Sequence, residues 1–424
     1  MLVENKLNNS LTSLLIWLAI TFFYCYQYVL RTLPNVIMSD IMNKYNIGST
    51  EFSVFLSVYY LGYIIVHIPV GVLLSRFGPK TIIPIFIILT ALGAGPLVYS
   101  DSWWIAIFGR ALTGIGASAA AVGALRIFRT LYPTKFAGMV GLMVSLGLIT
   151  TVYVSSFLLS SIQTVGLAIT IKVLVFIGFG LAFITYWLIP KSINKVSHSK
   201  IWTDIKAIIC NYKLLLISLF AGLMVGPTEG FGDAWGSAFI TVVYGIDKAT
   251  ADSIVFSILL GMCIGCVILP YIADKTELYL GIPIFCGIGM IICFKYMLSG
   301  TANINSLYYT CILTGVFSAY QIIILSKVAT LVSVERSGLA AAMANMIIMM
   351  LGPVFHGSIG LTLDCLWDGD ITDGIKTYNA NAFISSISII PNVMYIAIIG
   401  LSIIAIQQIR EKKKLNKAGN LIKE

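Results

Sequence analysis

The chain has 424 residues, 58% of them hydrophobic and 11% charged, where a soluble domain carries about 25% charged residues. With a mean hydropathy of +0.94, this excludes a soluble enzyme. A net charge of +9 does not point to nucleic acid here, because in a membrane chain the position of basic residues matters more than their sum. The eight cysteines are scattered singly, so no disulfide framework is implied. Cys263 and Cys266 have CxxC spacing but lie mid-helix in SILLGMCIGCVILP, where packing is the better reading than metal.

Apolar stretches of about 18 residues or more mark membrane spans. They fall near 11–37, 51–75, 81–99, 102–130, 137–160, 166–190, 213–240, 252–273, 278–298, 305–328, 338–364 and 382–409. The first is too long for a signal-peptide core and lacks a small-residue cleavage site, so it reads as a retained span. Its segment FYCYQYVLRTLPNV puts Arg31 inside the apolar run. Such an arginine costs about 2.5–3.5 kcal/mol on insertion scales and needs a reason. Tyr24, Gln27 and Tyr28 share its face at helical spacing.

Tyr59, Tyr60, Tyr63 and His67 continue this polar aromatic theme in the second span. The loop after it, GVLLSRFGPK, sets Arg76 and Lys80 at helix ends, where they either anchor the inner side or lock helix contacts. The fourth span opens on GRALTGIGAS. Arg110 there is either a site or coupling charge, or an arginine bonded to carbonyls of a neighbouring helix. The small residues from Gly114 and Gly116 onward read as close helix packing. The seventh span, LMVGPTEGFGDAWGSAF, carries Glu229 and Asp233 four residues apart among four glycines and a proline. It is expected to bend or unwind, with Phe231 and Trp235 as walls. His356 in the eleventh span reads as a hydrogen-bonded packing histidine ahead of a proton or substrate group.

Twenty of the 27 lysines and arginines fall on one side when the N-terminus is set inside. The other seven are Arg31, Lys44, Arg110, Lys172, Lys248, Lys295 and Lys376. This asymmetry places both termini in the cytoplasm, and the acidic loop of Asp364, Asp368, Asp370 and Asp373 outside.

Sliding the chain by about 200 residues exposes an internal repeat. IPIF at 83–86 recurs at 282–285, and LTG at 112–114 recurs at 313–315. Glu51, Val54, Phe55 and Pro69 fall on Asp252, Val255, Phe256 and Pro270, and the offset stays between 199 and 201. The expected fold is an all-α membrane protein of about twelve transmembrane helices in two six-helix halves. The halves are 1–190 and 213–409, joined by a cytoplasmic central loop at 191–212 and followed by a basic cytoplasmic tail at 410–424. Parallel halves of this kind hold a solute site at mid-depth.

These features together resemble the major facilitator superfamily of secondary transporters. In GVLLSRFGPK, the residues Gly71, Arg76, Gly78 and Lys80 match the family's loop 2–3 motif, while Ser75 stands where that motif has Asp. Arg110, Gly114 and Gly116 match its intramembrane Arg–Gly motif. The resemblance implies that Gly71, Arg76, Gly78 and Lys80 form a conformational latch, with Asp274 the acid at the second-half counterpart. It names no substrate.

Carried by the repeat, Arg31 falls opposite residues 230–232, bracketed by Glu229 and Asp233. A fixed interhelical ion pair and a solute or proton site are both open. Two acids against one arginine leave a spare carboxylate, which favours the site. The expected substrate-binding set is Arg31, Gln27, Tyr24, Tyr28, Asp233 and Trp235, with Glu229 and Asp233 for proton coupling. No catalytic residue, metal or cofactor is expected. The expected function is secondary active transport of a small zwitterionic or anionic metabolite by proton symport. The alternatives are a uniporter or exchanger of an organic or phosphorylated anion, and a non-transporting sensor on the same fold. A monomer in the cell's inner membrane is expected, its partners being the solute, a proton or ion gradient and the lipid bilayer.

Overall fold

The computed structural model describes residues 10–47, 49–190, 201–369, 371–372, 375–376 and 378–421. Lys6, Lys191, Lys195, Lys200, Asp370, Asp373, Lys423 and the 191–200 part of the central loop lie outside the described residues.

The first part of the chain runs α1 (Ser10–Val36), α2 (Met38–Tyr45), α3 (Ser49–Ile65), α4 (His67–Phe77), α5 (Pro79–Leu92), α6 (Pro96–Tyr99), α7 (Trp103–Leu131), α8 (Phe136–Val165), α9 (Leu167–Leu188) and α10 (Ile201–Ile209). The second runs α11 (Tyr212–Gly222), a π-helix (Pro227–Trp235), α12 (Gly236–Tyr244), α13 (Lys248–Thr276), α14 (Gly281–Leu298), α15 (Ile304–Ser318), α16 (Tyr320–Thr330), a 3-10 turn (Val334–Arg336), α17 (Ser337–Cys365), α18 (Ala380–Ile387) and α19 (Ile389–Leu421). The strand content among the described residues is one two-residue pair, Ile371–Thr372 against Ile375–Lys376.

Among the described residues, ten helical segments are long and apolar enough to cross a membrane, and the pair α3–α4, bent by 43°, makes up to eleven. α8 has a shorter apolar stretch, Phe136–Thr151. This fits the expected fold of about twelve helices. The second half of α8 is rich in hydroxyls, yet it stays helical. Thr150, Thr151, Ser161 and Thr164 each donate to the carbonyl four residues back, at 2.8–3.2 Å, so they ask nothing of lipid. The α3–α4 break has a local cause. Pro69 has no N–H for the Ile65 carbonyl, and the helix reopens at His67, whose Nδ1 takes up the Tyr63 carbonyl at 2.6 Å.

The chain forms two compact units, Met1–Ile208 with Ala329–Met346, and Ile209–Val328 with Ile347–Glu424. The repeat is legible within each. In the first, Gly62 on α3 lies so close to α7 that a Cβ would sit 2.7 Å from the Ala111 carbonyl, and Gly114 faces the Tyr59 carbonyl in the same way. In the second, Gly261 on α13 faces the Ile312 carbonyl of α15, and Gly315 faces that of Ile258. The glycines and their carbonyl partners correspond at the same offset near 200. Both duplicates therefore use small residues to bring two helices into backbone contact, as membrane helices without a hydrophobic drive require.

Candidate functional site

The site in the first unit is built on a defect in α1. Pro34 lies inside this helix and has no N–H, so the Leu30 carbonyl loses its partner four residues on. Arg110, buried on α7, fills the gap. Its Nη1 donates to the Leu30 carbonyl at 3.0 Å, and its Nη2 to the Arg31 carbonyl at 3.0 Å. The guanidinium also lies over the rings of Tyr59 and Phe55, at 4.7 and 5.7 Å. Of its two open readings, the structure shows the carbonyl-bonded one. Gly114 and Gly116 behind it are packing glycines, pressed on the Tyr59 carbonyl and on Thr90.

Arg31 is thus fixed through its own backbone. Its side chain is half-buried. The Tyr60 hydroxyl accepts from Nε at 3.2 Å and from Nη2 at 2.8 Å. The guanidinium lies 4.9 Å from the Tyr60 ring centroid and 5.5 Å from that of Tyr28. Within the unit, no carboxylate among the described residues forms an ion pair with it. Gln27 is turned to a neighbour: its Oε1 accepts from the Tyr59 hydroxyl at 2.7 Å, out of solvent. Tyr24 packs edge-on against Tyr28, their hydroxyls 3.5 Å apart. The helical face read from the sequence is therefore assembled, with Tyr28 and Tyr60 at the cation and Gln27 behind it. His67 closes the column of rings. It stands 4.4 Å from the Tyr63 ring, and its Nε2 meets the Asn345 Nδ2 at 2.9 Å.

In the second unit the expected distortion of the seventh span is a π-helix, a rare form that recurs at functional sites. Pro227 opens it. Glu229 is half-buried, its carboxylate against Gly352, where a Cβ would come within 3.3 Å of Oε2. Asp233 is exposed. Trp235 donates from Nε1 to the His356 carbonyl at 3.3 Å, and the His356 Nε2 donates to the Glu229 carbonyl at 2.7 Å. A carbonyl has no proton to give, so that nitrogen carries one, and His356 ties α17 to the π-helix as the packing reading expects. Phe231 is not a wall of the site. It is fully buried, with ring centroids 5.7 Å from Phe239 and 5.3 Å from Phe294.

The loop-motif residues separate into different tasks. Gly78 has φ +76° and ψ 160° between α4 and α5, a conformation that side-chain-bearing residues rarely adopt. Gly71 lets α17 approach, a Cβ there lying 2.8 Å from the Leu339 Cα. Lys80 donates to the carbonyls of Tyr186 and Ile189, both at 2.6 Å, and so caps the C-terminus of α9. Asp274 accepts from the Tyr279 hydroxyl at 2.8 Å. Ser75 is buried and bonds the Val72 carbonyl at 2.8 Å. Arg76 reaches Asp204 on α10, Nη2 to Oδ2 at 3.5 Å, and Arg336 Nε donates to its Oδ1 at 2.7 Å. Asp204 and Asn345 were not singled out from the sequence. The available signal for Asp204 was one acid in the otherwise apolar stretch IWTDIKAII.

The family model of the Major Facilitator Superfamily matches residues 18–356. Among solved structures, the chain is similar to the transporter FucP in its outward conformation, with TM-score 0.72 at 12% identity over 93% of this chain and 99% of that one. It is also similar to a single-substitution variant of the E. coli fucose:proton symporter FucP, with TM-score 0.68 at 13% identity over 92% and 99%. No curated protein matches the sequence.

Proposed function

The chain belongs to the major facilitator superfamily, a family of membrane transporters, and from that premise we propose that it carries a small organic anion or zwitterion by proton symport. The observation that carries this reading is Arg31. It is a permanent cation, half-buried, held by a hydroxyl and two aromatic rings, with no carboxylate of its own unit paired to it among the described residues. A half-buried guanidinium so placed is suited to a carboxylate or phosphate of the solute. Glu229, the more sheltered acid of the π-helix, is assigned the proton. The exposed Asp233 is assigned the substrate amine. The printed name of the similar FucP joins fucose to a proton. Its coupling is the part relevant here, because a neutral sugar offers an arginine no charge.

The test is a thermal-shift screen of the purified protein against carboxylates, zwitterions and phosphate esters at two pH values, followed by uptake of the hit into proteoliposomes. Arg31→Lys keeps the charge and loses the planar fork, so uptake is expected to fall strongly. Glu229→Gln is expected to lose gradient-driven accumulation and keep exchange. Normal uptake by Arg31→Lys together with unchanged accumulation by Glu229→Gln overturns the reading.

A further inference from the structure

The loop 2–3 motif of this chain lacks its own acid, because position 75 is a buried serine engaged with the backbone of its own helix. A carboxylate nevertheless stands against Arg76. It comes from Asp204, on the short amphipathic helix α10 that follows the 191–200 segment. Asp204 is 1% exposed, and a carboxylate so enclosed is tolerated only where it is paired and hydrogen-bonded. Both oxygens are engaged. Oδ2 faces Arg76, at the end of α4, at 3.5 Å. Oδ1 accepts from Arg336, in the 3-10 turn before α17, at 2.7 Å.

We propose that Asp204 is the latch carboxylate of this transporter, supplied by the helix of the central connection instead of by the loop motif itself. Its work is to hold the segment Ala329–Met346 to the first unit. That segment is otherwise secured by contacts of shorter reach. Arg129 donates to the carbonyls of Ala329, Val332 and Ser333, and Glu335 acts electrostatically on Arg126 and Arg129. Gly71 admits Leu339 and Ala342 at contact distance, and His67 bonds Asn345. α17 leaves this segment after Met346 and continues into the other unit. One helix is therefore shared by two units, and in the proposal a change of state releases its first turns from the clamp. Among the described residues, Asp204 is the carboxylate seen bridging two arginines, one of them, Arg336, within the segment to be released and the other, Arg76, on α4. Removing it leaves two partly exposed cations, with side chains 19% and 31% exposed, facing each other. Attraction across the clamp then becomes repulsion. The inference is independent of the substrate assignment and of Arg31.

The test reads conformation and needs no substrate. In a background carrying Cys210→Ser and Cys365→Ser, which removes the two exposed cysteines, single probes are placed at Ser75→Cys, next to Arg76 of the clamp, and at Ser57→Cys, exposed in the middle of α3. A membrane-impermeant maleimide is applied to oriented vesicles from each side. With Asp204→Asn, labelling at position 75 is expected to rise about tenfold and labelling at position 57 to fall by a comparable factor, the reciprocal signature of a population shift. Asp204→Glu, which keeps a carboxylate for both arginines, is expected to leave both rates near their starting values. Should Asp204→Asn fail to fold, Arg336→Gln weakens the same bridge and is read in the same way. Unchanged rates, or rates that rise together at both probes, overturn the proposal and leave Asp204 a structural ion pair. A reciprocal shift that Asp204→Glu produces as fully as Asp204→Asn also overturns it.

Discussion

If Arg110 is held in the membrane by the carbonyl that Pro34 orphans, giving that carbonyl back its own N–H should make Arg110 partly dispensable. The perturbation is a double-mutant cycle of Pro34→Ala and Arg110→Met. Arg110 makes two hydrogen bonds to α1, each 3.0 Å long, and a bond to a charged group is worth about 1.5–3 kcal/mol. Losing both strands the Leu30 acceptor and removes the ring contacts. Against this, the buried cation no longer has to be desolvated. A net loss of about 3 kcal/mol for Arg110→Met follows, at the lower end of what breaking a buried charged contact costs. In the Pro34→Ala background the N–H of residue 34 satisfies Leu30. Arg110→Met should then cost less by about one charged hydrogen bond, roughly 1.5–3 kcal/mol. The assay is reversible unfolding in mixed micelles with rising dodecyl sulfate, followed by the fluorescence of the seven tryptophans. Arg110→Lys should be intermediate, because a single ammonium cannot span two carbonyls as the fork does. Additivity within about 0.5 kcal/mol would refute the reasoning. The arginine would then be kept for its charge, not for the defect in α1.

The duplicated glycine contacts predict parallel behaviour. Gly62→Ala and Gly261→Ala each force a Cβ onto a facing carbonyl and should each lose about 1–3 kcal/mol in the same unfolding assay, whereas Gly180→Ala, with nothing within 4 Å, should lose none. Gly78→Ala must hold φ +76° and should cost about 1–3 kcal/mol, seen as a lower thermal midpoint. The charge asymmetry predicts that a reporter fused after Lys213 reads cytoplasmic and one placed in the Asp364–Asp373 loop reads external; reversed signals would sink the topology.

The span pattern was legible because the bilayer imposes it. A fourth span expected near 102–130 is observed as Trp103–Leu131, and an eleventh expected near 338–364 as Ser337–Cys365. The breaks within spans were only partly legible. The glycines around Pro227 announced one of them; the break before Pro69 was not expected, and the break between α15 and α16 at Ala319 has neither Pro nor Gly beside it. Phe231, expected as a wall, is core instead because the distortion of the seventh span takes the form of a π-helix. A π-helix changes the angular step per residue and turns that ring into the core.

The same distinction applies to the site. The Arg31 face could be read locally, since Tyr24, Gln27 and Tyr28 lie within two turns of it. Arg110 had two readings because one residue type serves both, and only the approach of α7 to α1 makes the Leu30 carbonyl its partner. The cause, however, was already written in the sequence: a proline four residues after Leu30, in a segment that has to remain helical to cross the membrane. Lipid offers no water to that carbonyl, so the donor must come from another helix. A donor that carries a charge brings its own demand for aromatic faces, which Phe55 and Tyr59 meet. Asp204 illustrates the opposite limit. Its partners are 128 and 132 residues away, and nothing in IWTDIKAII distinguishes an acid that joins two helices from one that faces water. What the sequence did contain was the missing acid at Ser75. An arginine retained at position 76 without that acid implies a carboxylate from elsewhere in the fold, and Asp204 is the one that the structure brings there.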